Sequence, residues 1–160
     1  MEKNVKIKNN YNKAFTLIEL LVAIAILGIL AASLLASYTM TQKRAKDTQR
    51  KHDLKQIQEA LELYYQDNNE YPEEAGFDIS TGTENSFTSA EGVVYLRQIP
   101  QDPQYPSRNY QYVSGAGQQY KLYASLENNE DDAYRAEGYL GTDCGVGVCT
   151  YGVSSPNTTP

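Results

Sequence analysis

Tryptophan is absent from this 160-residue sequence, histidine occurs once and cysteine twice. Each scarcity closes off some chemistry. A metal centre on Cys144 and Cys149 needs further ligands, and the only histidine is His52. No nucleophile–base pair and no phosphate-binding loop stands out, so the chain reads as something other than an enzyme. Proline is missing between Phe15 and Tyr71, and the only glycine there is Gly28. Nothing in that interval forces a helix to stop. Basic residues run short from Tyr64 onward, with 4 against 14 acidic ones and a net of −10. Phosphate contacts need Lys and Arg, so this half excludes general nucleic-acid binding. It suits a soluble, exported surface. Twelve of the 14 tyrosines lie there, covering apolar ground while each keeps one wet end.

What is present begins with a greasy run. Phe15 through Tyr38 is almost unbroken apolar sequence, and Leu20–Ala36 carries no charge. Together with Phe15–Ile18 it reaches the roughly 20 residues that span a bilayer. Glu19 interrupts it near the start, although a carboxylate inside a membrane segment costs on the order of 2.5–3.5 kcal/mol. Three readings fit: a secretory signal peptide cut near Ala31-Ala32-Ser33, a plain anchor, and a leader removed ahead of the apolar run. Lysines flank both sides of the run, with Lys3, Lys6, Lys8 and Lys13 before it and six basic residues from Lys43 to Lys55 after it. The positive-inside rule therefore gives N-inside only an edge. The acidic, tyrosine-rich remainder and its two cysteines suit an outside location for the distal half and tip the balance that way.

The stretch KAFTLIELLVAIAILGILAA resembles the prepilin signature of type IV pilins and type II secretion pseudopilins, with Phe15, Thr16, Leu17, Ile18, Glu19 and Leu20 in order. The resemblance implies a basic leader, Met1–Ala14, removed by prepilin peptidase between Ala14 and Phe15, and N-methylation of Phe15. Glu19 then stands fifth in the mature chain, where the family has its glutamate. Ala14 occupies the place of the usual glycine, and Ala36 that of a proline common in the family. YYQDNNEYP (Tyr64–Pro72), YLRQIPQDP (Tyr95–Pro103) and NYQYVSGAGQQYKLYASLE (Asn109–Glu127) resemble the helix end, loop and sheet of the major pseudopilin.

Periodicity carries the helix past the apolar run. Leu54, Ile57, Leu61 and Tyr64 recur at i, i+3, i+7 and i+10, which places them on one helical face. A helix from about Phe15 to Gln66 is predicted, greasy all round at first and amphipathic later. It stops after Asp67-Asn68-Asn69, and Pro72 bars its return. Residues 73–91, rich in Gly, Ser, Thr and Glu, read as a loop. Asn109–Val113 and Gln119–Leu126 read as strands joined through SGAG in a hairpin. Tyr110 and Tyr112 share one face of the first strand, and Tyr120, Leu122, Ala124 and Leu126 one face of the second, a fit for the helix stripe. The tail after Cys149 is expected to add a short edge strand.

Several residues are candidates for function. Cleavage before Phe15 creates an α-amino group that Glu19 of a neighbouring subunit can neutralise, which makes Glu19 an assembly residue. Cys144 and Cys149 have four residues between them, where a redox motif has two, and in an exported chain they read as a local disulfide. The acidic run Glu127–Glu137 offers oxygens to Ca²⁺, as in the corresponding pseudopilin loop, but lacks the glycine-rich pattern there. It reads chiefly as a solvated loop, and no ligands are assigned. The basic stretch Lys43–Lys55 reads as a solvated face or as a partner for acidic surface on another subunit, ahead of lipid head groups or DNA. His52 reads as a solvated helix residue. Asn157 formally fits a glycosylation acceptor.

The expectation is an α+β, pilin-like fold: one long N-terminal helix, membrane-spanning then amphipathic, packed by a small antiparallel sheet. Its parts are a leader (1–14), a transmembrane half-helix (15–38), an amphipathic half-helix (39–66) and a head with a C-terminal cysteine loop (67–160). The resemblance implies a structural subunit of a type IV pilus or type II secretion-like pseudopilus, without a cofactor. Its expected partners are copies of itself, minor pilins, prepilin peptidase, an assembly ATPase with its membrane platform, and membrane lipid, but no nucleic acid. It implies a single-pass bacterial cell membrane protein with an extracytoplasmic head. The rival reading is a monomeric membrane-anchored extracellular binding module.

Overall fold

The predicted helix forms as α1, Leu17–Asn68. The computed structural model describes residues 15–80 and 86–160, without the side chains of 33–37 and 75. The leader expected at 1–14 lies outside the described residues. The chain divides into two units, Met1–Thr39 and Met40–Pro160. In the first, every described side chain from Phe15 to Ala32 is exposed, the leucines and isoleucines included.

In the second unit α1 becomes one-sided. Leu54, Ile57, Ala60 and Leu61 are buried in the main core, and Tyr64 packs against it. The helix ends where Asn69 takes a positive φ of 58° and donates its N–H to the Tyr65 carbonyl at 2.8 Å. Asparagine tolerates this left-handed cap better than most residues, which is why the chain turns there. Two residues on, Tyr71 N–H reaches the Gly117 carbonyl at 2.7 Å and ties the helix exit to the sheet.

The sheet is a three-stranded antiparallel ladder in the order β3 (Gln111–Ser114), β4 (Tyr120–Ala124), β5 (Tyr151–Ser154). Tyr112 pairs with Leu122 and Ser114 with Tyr120 across the hairpin, whose turn is the predicted SGAG. The tail does supply the edge strand, with Leu122 opposite Val153 and Ala124 opposite Tyr151. Tyr120, Leu122 and Ala124 of β4, Tyr112 of β3 and Tyr110 just before it join the helix stripe in the core. Full burial of a side chain such as Leu122 is worth roughly 1.5–3 kcal/mol. Several such contacts hold helix to sheet.

The stretch 73–91 departs from its reading as a loop. Glu74–Gly76 make a turn of 3₁₀ helix, and β1 (Phe87–Thr88) pairs antiparallel with β2 (Val94–Leu96). The reason is burial. Phe77, Ile79 and Phe87 all sit in the core, with Phe77 and Phe87 ring centroids 4.5 Å apart and Phe87 5.2 Å from Tyr64. Isolated apolar residues among Gly, Ser and Thr leave no period to read.

Candidate assembly site

Thr16 precedes the first helical residue and Glu19 is the third within the helix, which is the spacing of a capping box. The geometry bears this out. Glu19 N–H donates to Thr16 Oγ1 at 3.2 Å, while Thr16 N–H and Oγ1–H donate to Glu19 Oε2 at 3.3 and 3.2 Å. The Thr16 hydroxyl thus satisfies Glu19 N–H, the Glu19 carboxylate satisfies Thr16 N–H, and the carboxylate lies at the positive end of the helix dipole. The pattern T-L-I-E announces this in the sequence, and it adds an intrahelical role to the intermolecular one expected of Glu19. Phe15, 85% exposed, precedes the box. Ala14, the other residue expected at the cut, lies outside the described residues.

Past the box the helix is apolar on every side. Leu17, Ile18, Leu20, Leu21, Ile24 and Leu27 are all exposed. A helix that is hydrophobic all round needs lipid or other helices as its surroundings. Among the described residues no helical stretch is long and apolar enough to cross a membrane. The described side chains of this run stop at Ala32 and resume at Tyr38.

The basic stretch Lys43–Lys55 is not simply a solvated face. Arg50 is completely buried. Its Nε and Nη2 donate to Asp102 Oδ2 and Oδ1 at 2.7 and 3.1 Å, and Nη1 donates to Asp47 Oδ1 at 2.7 Å and Glu127 Oε1 at 3.0 Å. Burial pulls the Arg50 pKa down, but the hydrogen bonds and charges of Asp102, then Asp47 and Glu127, more than offset it, so the guanidinium is held above its ordinary value. Asp47 in turn accepts the backbone N–H groups of Glu127 and Asn128 at 2.9 and 2.8 Å. Asp53 is also buried and accepts the Tyr110 hydroxyl at 2.7 Å; burial raises its pKa. The missed signal was position. Asp47 and Arg50 lie seven and four residues before Leu54, on the very stripe that faces the sheet. His52 is exposed, as expected.

The acidic run meets the rest of that basic stretch. Lys51 Nζ pairs with Asp131 Oδ1, Lys46 lies 3.8 Å from Glu127, and Arg44 reaches Glu130 at 3.6 Å. The hydrogen bond from Lys51 holds the Asp131 carboxyl below its usual range against a smaller opposing effect of burial. Among the described residues no group of three or more His, Cys, Asp or Glu is placed to hold a metal ion. Asn157 donates its amide to the Gln118 carbonyl at 2.8 Å.

Cys144 and Cys149 form a disulfide, both fully buried. The loop between them is braced from below. Cys144 N–H donates to Gly147 O at 3.0 Å, Asn109 N–H to Cys144 O at 3.1 Å, and Cys149 N–H to Thr142 Oγ1 at 3.1 Å. Gly145 has φ +84°, and a Cβ there would fall 2.7 Å from Ser107 O, so only glycine fits.

A family model described as a prokaryotic N-terminal methylation motif matches residues 9–35. A second, described as type II secretion system protein G, matches residues 37–141. The type II secretion system core protein G of Klebsiella michiganensis is 34% identical over 146 residues, 86% of this chain and 93% of its own. The protein of the same name from Pseudomonas aeruginosa is 38% identical over 106 residues, 62% of this chain and 72% of its own. The type IV wide pilus major component PilA4 of Thermus thermophilus is 42% identical over 74 residues, 46% of this chain and 56% of its own. No solved structure matches the chain.

Proposed function

This chain belongs to the type II secretion system protein G family, and on that premise we propose that it is a structural filament subunit, of a type II secretion-like pseudopilus or a type IV pilus. Prepilin peptidase removes 1–14 by cutting between Ala14 and Phe15, and Phe15 becomes N-methylated. The segment 15–38 then holds the subunit as a single-pass protein of the bacterial cell membrane, with its head, 67–160, outside. The amphipathic stretch 39–66 carries that head. An assembly ATPase and membrane platform extract subunits, and copies of the chain polymerise with related minor pilins. The chain's role is structural rather than enzymatic.

The observation that best supports this reading is a braced carboxylate at the head of an all-round apolar helix. In the lone subunit Thr16 supplies Glu19 with donors, which lowers the cost of a charge at the membrane edge. Removal of 1–14 creates an α-amine at Phe15. In a low dielectric the attraction between such an amine and Glu19 of a neighbour is strong, and either charge left alone is costly. Helix packs on helix in place of lipid, and the charge pair fixes the register.

The test is a Glu19→Ala variant expressed in a host that carries the assembly machinery. It should be cleaved and inserted as the parent is, with a methylated Phe15 N-terminus by mass spectrometry, and yield few sheared filaments. Normal filament yield would overturn the role of Glu19. A mature chain starting at Leu34, or only monomer from the parent after crosslinking in cells, would overturn the filament reading and favour a membrane-anchored binding module.

A further inference from the structure

Among the exposed apolar residues of the second unit, which also include Leu63 and Leu140, two places pair two valines with charge. The first is the β1–β2 hairpin. Its turn is fixed by Ser89, whose N–H donates to Val93 O at 2.9 Å and whose carbonyl accepts Gly92 N–H at 3.0 Å, with Gly92 at φ +86°. The turn thrusts Val93 and Val94 outward, 47% and 53% exposed. Glu91 beside them is the only charge between Ser86 and Leu96. The second is a groove of about 620 Å³ walled by Val146 and Val148 of the disulfide loop, Leu126, Tyr134, Lys43 and Arg108. Val146 and Val148 are 50% and 44% exposed. Arg108 is steadied by Nη1 donating to Ser125 O and Oγ at 3.0 and 2.8 Å. Glu127 also lines the groove but is engaged by Arg50 and Lys46.

Lone exposed valines are ordinary and need no explanation. Here, however, two adjacent valines with an acidic neighbour stand on one braced turn, and the two valines of the disulfide loop share a groove with two cations, Lys43 of α1 and Arg108 of the loop before β3. The features also lie far apart along the head. Tyr95 of β2 donates its hydroxyl to Asp67 near the end of α1, at 2.9 Å, whereas the groove is lined by Lys43. These helix positions differ by 24 residues, roughly 36 Å at the helical rise. The knob of one chain cannot reach its own groove.

We infer that the Glu91–Val94 turn of one subunit docks into the Val146–Val148 groove of a second copy of this chain, with Glu91 facing Lys43 and Arg108. Complementary patches set apart on one head make a head-to-tail contact, which leaves a free knob and a free groove after every addition. Such a contact generates an open filament rather than a closed dimer. A turn of Glu91–Val94 falls far short of the roughly 20–30 residues a side of a stable interface. The contact therefore acts between heads already brought together by their N-terminal helices, and sets their axial spacing. It rests on the reading of the chain as a filament subunit.

The experiment uses the full-length chain in an assembling host. Glu91→Lys and Lys43→Glu should each lower sheared filament yield about tenfold or more through like-charge apposition, and the double exchange should restore most of it. Val93→Asp with Val94→Asp should lower yield similarly, with cleavage and membrane insertion unchanged. In parent filaments, zero-length carbodiimide crosslinks should join Glu91 to Lys43, and mixing isotopically labelled with unlabelled subunits should show them to be between chains. Filaments of normal yield from all three single-site and paired-valine variants, or a Glu91–Lys43 link found only within one chain, would overturn the contact while leaving the filament reading intact. Absence of filaments from the parent chain would overturn both.

Discussion

Arg50 and Asp102 stand 52 positions apart in the chain and meet in a two-pronged hydrogen bond, 2.7 and 3.1 Å, with neither side chain touching water. The fork joins α1 to the loop before β3, and Glu127 extends it to the loop after β4. Removal of Arg50 leaves Asp47 and Asp102 buried without their cation. Arg50→Ala should cost about 3–5 kcal/mol of head stability. Arg44→Ala, which breaks only an exposed 3.6 Å pair, should stay within about 1 kcal/mol. Urea unfolding of the detergent-solubilised chain, followed by tyrosine fluorescence, measures both; equal costs would refute the distinction.

Asp53 should make the head less stable as pH rises through the acid range. Its carboxyl is pushed above the ordinary 3.8, mainly by burial and slightly by Asp102, against lowering by the Tyr110 hydroxyl and His52. Between the ordinary and the raised value the folded state holds more protons than the unfolded one, so this contribution falls with increasing pH. Asp53→Asn keeps an acceptor for Tyr110 and removes the penalty. The variant should gain stability relative to the parent near neutral pH, and the gain should vanish below the ordinary carboxylate range. A gain that is constant with pH would rule out this origin.

The disulfide closes a short loop, with Cys144 and Cys149 five positions apart. By the chain-entropy estimate, replacing both by serine should cost about 2 kcal/mol. The loss should be local. Hydrogen exchange should accelerate at Cys144–Cys149 and change little at Tyr120–Ala124, the centre of the sheet. Uniform acceleration across both would show that the loop supports the whole head.

Thr16→Val should fray the first turn of α1. The change removes the hydroxyl that accepts Glu19 N–H and should cost about 1 kcal/mol. Amide exchange in micelles at Leu17–Leu20 should rise, and Thr16→Ser should restore protection. Unchanged protection in the valine variant would mean that the box adds nothing to the turn.

How much of this was legible depended on range. The helix and the β3–β4 hairpin rest on local signals: a stripe of Leu54, Ile57, Leu61 and Tyr64, and a glycine-containing turn between alternating tyrosines. The edge strand after Cys149 was legible as a segment, while its pairing with β4 is a long-range contact. The Arg50 cluster was not, because a charged residue on an apolar stripe declares its burial only through partners 52 and 77 positions away. The β1–β2 hairpin escaped because its strands have two and three residues, too short for alternation to register. At the N-terminus the same four residues, Thr16–Glu19, carry both the cap and the resemblance, and the spacing T-L-I-E makes the cap a local signal.

The sheet also imposes an order of events. β4 pairs on one side with β3, which precedes it closely, and on the other with β5, which follows some 26 residues later. Gln58 of α1 donates to Ser154 O across 96 positions at 2.8 Å. When the head crosses a membrane from its helix end onward, the β3–β4 hairpin can zip early, but one edge of β4 stays open until Tyr151–Ser155 arrive. Such non-local closure is slow, and an open edge invites strands from other chains. The head is therefore most vulnerable to mispairing late in its delivery, and completion of β5 marks the moment a subunit is fit to be joined to the next.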